Sequence, residues 1–244
     1  MLDYIILGIL QGIFEWIPIS SEGITALASQ FLIKDVNPID LALFLHLGTL
    51  FSVIVYFRKD WKKIILLKNP KLFKFLLIST IVSLIIGYPL YLVIRDVAIG
   101  PILLIIMGVG LLATSYFHAK KKRLRMGFNS LALSAGVLQG LAVIPGLSRS
   151  GSTIFGLSLG DLSPTNVLRI SYLMSVPVVL ISSVYLTIQN PVLLEGWPSL
   201  IASFLVGLLT LSFLMRASQK IKFSRFTFIF AIICFVGGVI GLIL

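Results

Sequence analysis

Six stretches of this chain, 40–57, 72–94, 98–117, 167–188, 198–216 and 225–244, run for 18 to 23 residues with at most one charged residue each. A bilayer core about 30 Å thick needs roughly 20 apolar residues per helical span, so each is long enough to cross. Four further apolar stretches, 4–17, 24–33, 130–144 and 152–160, are too short. They come as two pairs, each broken by Pro, Gly and Ser. Interrupted backbone at membrane depth is tolerated only where it is buried in protein or lines a wet cavity. Residues 4–33 and 130–160 therefore read as re-entrant helix–loop–helix hairpins. The expected fold is all-α and integral to the membrane: one domain over 1–244, with six transmembrane helices plus the two hairpins.

Composition agrees. Hydrophobic residues make up 58% of the chain and charged residues 12%, against about 45–50% and about 25% in soluble domains. That excludes a soluble globular domain and equally a disordered chain. The formal net charge of +11 would suggest nucleic acid in a soluble protein. Here it is read as basic loops that orient the chain and touch anionic lipid, so no nucleic-acid partner is expected. The single cysteine, Cys234, excludes an internal disulfide and a cysteine-based metal site. No cleavable signal peptide is expected, because the N-terminus lacks a basic region and Asp3 precedes the first apolar stretch.

Sixteen of the twenty Lys and Arg fall in three clusters: Arg58 to Lys74, Lys120 to Arg125, and Arg216 to Arg225. The positive-inside rule places all three in the cytoplasm. Six crossings then leave both chain ends, and the loops at Lys34, Arg95 and 189–197, outside. Hairpin 4–33 enters from outside and hairpin 130–160 from the cytoplasm.

The hairpins also match in sequence at an offset of 128. Gly8-Ile9-Leu10-Gln11-Gly12 aligns with Gly136-Val137-Leu138-Gln139-Gly140; Ser20, Gly23 and Thr25 align with Ser148, Gly151 and Thr153. Copies that enter from opposite faces form an inverted-topology repeat, a design in which broken helices meet near the midplane and aim their N-termini at an anion. Repeat one is assigned to 1–117 and repeat two to 130–244, joined by a cytoplasmic basic loop at 118–129.

Polar side chains away from the basic loops concentrate in the hairpins. The first offers Gln11, Glu15, Ser20, Ser21, Glu22 and Thr25, with Gln11 and Glu15 on one helix face. The second carries Pro145-Gly146-Leu147-Ser148-Arg149-Ser150-Gly151-Ser152-Thr153, which has the chemistry of a phosphate site. Gly146 and Gly151 let backbone approach a ligand. A helix opening near Ser150 aims N–H groups at it, Arg149 offers a planar fork to phosphate oxygens, and Ser148, Ser150 and Thr153 add hydroxyls. The blander reading is capping by Ser and Thr, with Arg149 paired to Glu15. Asp40 and Asp161 read as helix caps or interfacial charges, His118 as a solvated interfacial residue, and Trp61 and Trp197 as interfacial anchors. His46, inside a span, reads equally as a buried structural histidine. No Walker, dinucleotide-binding or HExxH motif is present.

The segment Gln11-Gly12-Ile13-Phe14-Glu15-Trp16-Ile17-Pro18-Ile19-Ser20-Ser21, together with Pro145 to Thr153, resembles the undecaprenyl-diphosphate phosphatase family of the bacitracin-resistance type. The resemblance spans nearly the whole chain. It implies six spans with two re-entrant hairpins, and removal of the terminal phosphate from a polyprenyl diphosphate to regenerate the lipid monophosphate carrier of glycan assembly. It implies dependence on a divalent cation, Mg²⁺ or Ca²⁺. It maps catalytic positions onto Gln11, Glu15, Ser21, Arg149 and Thr153.

The expected catalytic group is thus Glu15, Ser21, Arg149 and His46. Ser21 is the expected nucleophile, although direct attack by activated water fits the residues equally. Gln11, Ser20, Gly146, Ser148, Ser150, Gly151 and Thr153 are expected to bind substrate, and Glu15 and Glu22 to hold the metal. His46 enters because the family usually carries Ser-Ser-x-Gly-His where this chain reads Ser20-Ser21-Glu22-Gly23-Ile24. Ile24 stands in the histidine's place, and His46 is expected to take over its proton-transfer or nucleophile-orienting role, with Glu22 as the alternative. The same departure suggests a divergent, archaeal branch using an undecaprenyl or dolichyl carrier. Expected partners are the polyprenyl diphosphate, membrane lipids and a second copy in a homodimer; the expected location is the cell membrane, with the site open to the outside. The competing class is a transporter or flippase for a lipid phosphate or other anion, since broken inverted repeats are typical of transporters.

Overall fold

A computed structural model of the chain describes all residues except 18–19, 34, 98–100, 120–125, 218–222 and 244. Helices α1 (Leu2–Phe14) and α2 (Ser21–Leu32) form the first hairpin; α3 (Pro38–Tyr56), α4 (Arg58–Ile65), α5 (Pro70–Val97) and α6 (Pro101–Ala119) complete the first half. The second half has hairpin α7 (Phe128–Leu141) and α8 (Arg149–Ser158), then α9 (Pro164–Gln189), a 3₁₀ turn (Pro191–Gly196), α10 (Trp197–Ala217) and α11 (Phe223–Ile243). No strand occurs among the described residues. Among the described residues, four helical stretches are long and apolar enough to cross a bilayer: Pro38–Tyr56, Pro70–Val97, Thr165–Gln189 and Pro191–Arg216. The protein is a multi-pass membrane protein.

The two halves interlock. Hairpin helix α1 packs on α10 of the other half, and α7 packs on α5 of the first. Gly8 and Gly12 are the contact points on α1. A Cβ on Gly8 would overlap the Ser199 carbonyl, and one on Gly12 would lie 2.8 Å from Gly207 N and from Val206 Cβ. On α7, a Cβ at Gly136 would lie 2.8 Å from the Ser79 carbonyl oxygen, and one at Gly140 2.9 Å from Ser83 O and Ile86 Cβ. Small residues four apart allow such backbone approach, so the sequence repeat is also a repeat of packing. Its partners repeat as well. Ser79, Ser83 and Gly87 on α5 match Ser199, Ser203 and Gly207 on α10 at an offset of 120, a spacing the sequence carries openly. Thr210 Oγ1 donates to the Gly12 carbonyl (2.6 Å), and Trp16 Nε1 donates to Gly207 O (2.9 Å).

Several sequence-level assignments need correction. The basic segment after α3 is not a plain loop: α4 is amphipathic, and Arg169 of α9 grips its Asp60 with two guanidinium nitrogens, Nε at 3.0 Å. Neither Asp40 nor Asp161 caps a helix. Asn37 caps α3 and Ser163 caps α9. Asp40 is buried, accepting from Tyr91 Oη (2.7 Å) and pairing with Arg95 (3.0 Å). The basic residues 120–125, Lys220 and Lys222, the side chain of His118, and the hairpin residue Pro18 lie outside the described residues.

Candidate active site

Each hairpin turns between its helices through a serine that caps the second one. Ser20 Oγ accepts from Gly23 N (3.3 Å), and Ser148 Oγ accepts from Gly151 N (3.2 Å). Ser20 Oγ also accepts from Gly146 N (2.9 Å), which ties the two turns together. Gly146 has φ +93°, and a Cβ there would collide with the Met107 carbonyl of α6, so no other residue fits this close, left-handed turn. Helices α2 and α8 therefore begin side by side, with Ser21 first in α2 and Arg149 first in α8. The repeat offset aligns these two positions, so the halves contribute different chemistry from equivalent places.

Glu15 lies where the hairpins meet and is almost fully buried, its side chain 2% exposed. Its Oε2 accepts from Ser21 Oγ (2.6 Å) and Gln11 Nε2 (2.8 Å) and lies 3.1 Å from His46 Nε2. Its Oε1 pairs with Arg149 Nη2. The other imidazole nitrogen, Nδ1, is 2.8 Å from the Ala42 carbonyl. A carbonyl only accepts, so Nδ1 carries a hydrogen there. Nε2 then faces a carboxylate oxygen, and a favourable contact requires a proton between them. The Glu15–His46 pair thus holds one mobile proton beside the Ser21 hydroxyl.

Arg149 is the electropositive side of the cluster. Beyond its bond to Glu15, its Nε and Nη1 are buried and have no partner among the described residues. Because Nη2 has two N–H bonds, one edge of the guanidinium keeps both donors for an anion. Glu22 Oε1 and Gln139 Oε1 are also buried with no partner among the described residues. Arg149, Glu22, His46 and Gln139 all line a cavity of about 470 Å³ whose remaining wall is mostly apolar.

The expected residues divide into three groups. Glu15, Ser21, His46, Arg149 and Gln11 come together in one hydrogen-bonded cluster. Ser20, Ser148, Gly146 and Gly151 build the turns and caps, and Ser150 Oγ bonds Ser148 Oγ at 3.1 Å. Thr153 points elsewhere: its hydroxyl is 2.8 Å from Arg149 O and 2.6 Å from Ser171 Oγ, behind α8. Both Glu15 oxygens are engaged, which leaves Glu22 as the carboxylate with an uncommitted oxygen. Among the described residues no cluster of three or more His, Cys, Asp or Glu could hold a metal by itself. Gln139 and its partner Ser83 (3.0 Å) were not expected to line the site; the match of Gln139 to Gln11 in the repeat was the available signal.

Residues 4–240 match the family model of bacitracin resistance protein BacA. The chain is also similar to curated proteins named undecaprenyl-diphosphatase. The one from Methanococcoides burtonii is 37% identical, covering 92% of this chain and 93% of the relative. That from Haloarcula marismortui is 34% identical over 97% and 96%, and that from Sulfurisphaera tokodaii 32% identical over 90% of each.

Proposed function

The chain belongs to the BacA family of bacitracin resistance proteins, and on that premise we propose that it hydrolyses undecaprenyl diphosphate, or a related polyprenyl diphosphate, to the lipid monophosphate and phosphate. The observation that carries the reading is the Ser21–Glu15–His46 cluster set against Arg149, whose free donors face the cavity. A transporter needs the arginine; it has no use for a hydroxyl aimed at a buried carboxylate.

In this reading Arg149 and the N–H groups opening α8 bind the diphosphate and stabilise the charge that grows on its oxygens. Ser21 Oγ attacks the terminal phosphorus while its proton passes to Glu15 Oε2. The bond to the bridging oxygen breaks, and the lipid monophosphate leaves with its charge held near Arg149. Water then attacks that phosphorus and the Ser21 oxygen–phosphorus bond breaks: Glu15 Oε2 returns the stored proton to Ser21 Oγ, the Glu15–His46 pair takes the water's proton and later releases it to solvent, and phosphate leaves. His46 thereby fills the role that Ile24 cannot. Glu22 is the residue that would offer an oxygen to a divalent cation, Mg²⁺ or Ca²⁺; such a cation would supply charge neutralisation.

The finer topology belongs to the same proposal. The six helices α3, α5, α6, α9, α10 and α11 cross, and the two hairpins are re-entrant from opposite faces. The site is reached from the external side.

The test is phosphate release by the detergent-purified protein from farnesyl and longer prenyl diphosphates, with and without a chelator. Arg149→Lys keeps a charge but loses the fork, and is expected to lower kcat/KM by about two orders of magnitude or more. Wild-type turnover in that variant would remove the bidentate role.

A further inference from the structure

The connections between long helices are not alike in the two halves. Between α9 and α10 stands the 3₁₀ turn Pro191–Gly196, with no Lys or Arg and one acid, Glu195. Its counterpart in the repeat, between α3 and α5, is α4 with a turn rich in cations. The seven Lys and Arg from Arg58 to Lys74 are all exposed, and none forms an ion pair among the described residues. Asp60 is the one acid in this stretch, and Arg169 already engages it.

Charge alone would suit any cytoplasmic loop, but this stretch is shaped. Ile64 is buried in the core, and Trp61 packs against the same core, so the basic face of α4 turns outward. The helix ends in an aliphatic tip: Ile65, Leu66 and Leu67 are 74%, 52% and 60% exposed. Lys68 N donates back to Lys63 O (2.8 Å) and Leu67 N to Ile64 O (3.0 Å), with Leu67 at φ +52°. The left-handed position of such a helix-ending turn ordinarily holds glycine. An exposed leucine there is a poor choice against water and a good one against acyl chains. Because α3 and α5 are both long and apolar enough to cross, α4 joins their ends at the bilayer surface. Cations around an aliphatic tip at that depth match an anionic leaflet. A nucleic-acid surface would set aromatic side chains among its cations for bases to stack on, and this tip has none.

The same helix is tied to the catalytic cluster. Arg169 of α9 holds Asp60 with two nitrogens. Two residues further along α9, Ser171 Oγ lies 2.6 Å from Thr153 Oγ1, which donates to Arg149 O (2.8 Å). Next to it, Tyr172 packs edge to face on Trp16 at 5.3 Å, and Trp16 follows Glu15 in the chain. One turn of α9 thus joins α4 to the backbone that carries Arg149 and to the hairpin that carries Glu15.

We infer that α4 and the turn after it dock on the headgroups of an anionic lipid leaflet, and that this docking holds α9 where it sets Arg149. The cations engage headgroup phosphates while Ile65, Leu66 and Leu67 enter the acyl region. In a neutral bilayer the seven cations lack a counter-charge and repel one another, so α4 sits less firmly and its hold on α9 loosens. In the assigned orientation the leaflet is the cytoplasmic one. The docking does not depend on which reaction the site performs.

The test uses the full-length protein in nanodiscs of phosphatidylcholine, alone or with about one third phosphatidylglycerol as the anionic lipid. A phosphatidylglycerol carrying a diazirine near its headgroup is photolysed in the discs, and adducts are mapped by peptide mass spectrometry. Adducts within 58–68 are expected, diluted by unlabelled phosphatidylglycerol and not by phosphatidylcholine. No adducts there, or equal competition by both lipids, overturns the docking. Displacement of the label by added polyuridylic acid assigns the surface to nucleic acid and overturns it too. Replacing three exposed cations together, Lys59→Gln, Lys62→Gln and Lys63→Gln, should lower the labelling about tenfold or more, since each cation at the surface contributes about fivefold in affinity; unchanged labelling counts against it. Hydrogen exchange reads the coupling. Amides in 149–158 and 164–172 should exchange about fivefold more slowly when phosphatidylglycerol is present. Asp60→Asn should still label but lose this slowing. Equal exchange in the two bilayers, or slowing that survives in Asp60→Asn, overturns the coupling. Neither measurement uses turnover, so a protein that docks and tightens yet releases no phosphate sinks the hydrolase reading alone.

Discussion

Replacing Glu15 by glutamine changes one oxygen to an amide nitrogen and removes one charge. The four groups around that carboxylate determine the effect. Oε2 receives Gln11 Nε2, Ser21 Oγ and His46 Nε2, while Oε1 receives Arg149. Whichever way the new amide turns, its NH₂ faces a donor. Turned toward Arg149, it leaves that buried cation without its counter-charge. Turned toward the other three, it confronts the hydroxyl it should deprotonate. Removing one partner of a buried ion pair costs about 3–5 kcal/mol, so Glu15→Gln should lose thermal stability measurably while remaining folded in detergent. As the proposed acceptor of the Ser21 proton, Glu15 would contribute about 10²–10⁴ in rate. Phosphate release from farnesyl diphosphate should therefore fall by at least about a hundredfold, with a smaller change in KM. Turnover within tenfold of wild type, in a variant whose melting temperature had dropped, would show that Glu15 is structural and that the proton goes elsewhere.

Three further outcomes are expected. His46→Gln should lose activity together with the near-neutral limb of its pH–rate profile, whereas Glu22→Gln should keep that limb and weaken the response to added Mg²⁺ or Ca²⁺; an unchanged profile in His46→Gln would retire its role in proton transfer. With Cys234 replaced, single cysteines at 35 and 192 should react with an impermeant reagent from outside, and one at 62 only after permeabilisation; external labelling at 62 would overturn the assigned orientation. Gly12→Leu and Gly140→Leu should each destabilise the protein by several kcal/mol in a thermal-melt assay, because the added atoms meet backbone of α10 and α5; a melting temperature within a degree or two of wild type would contradict the close packing.

Much of this was legible in the sequence because the membrane simplifies the grammar. Long apolar runs can only be helices, and the hairpins declared themselves by pairing short runs with Pro, Gly and Ser. The Gly8–Gly12 and Gly136–Gly140 match predicted equivalence, but it could not say that each pair would grip a helix of the opposite half. Helix α4 was hidden because its charges read as a loop, and its apolar side has meaning only once α3 and α5 are packed beside it. Asp40 looked like a cap near a helix start. Its partners Tyr91 and Arg95 lie more than fifty residues away, and no local pattern connects them. His46 was singled out by the absence of a histidine at Ile24, which suggested its proton-transfer role; its contact with Glu15 at 3.1 Å came only with the structure. The cavity lined by Glu22, His46, Gln139 and Arg149 was invisible, since its walls come from helices far apart in the chain.

The crossing of the two halves also sets a schedule for biosynthesis. Helix α1 emerges first, yet its seat on α10 is among the last segments made: the Thr210–Gly12 hydrogen bond joins residues 198 apart. At roughly 5–20 residues per second, the first hairpin waits on the order of ten to forty seconds for its partner, with the Gln11 and Glu15 side chains and a broken backbone still unmatched. During that interval something other than the finished protein must shelter them, whether the insertion machinery, water at the bilayer surface or a provisional contact with α3. The second hairpin has no such delay, because α5 is already in place when α7 arrives. A nascent chain stalled before α10 should therefore leave its first hairpin open to proteolysis and its second hairpin protected, two halves alike in sequence but separated in time.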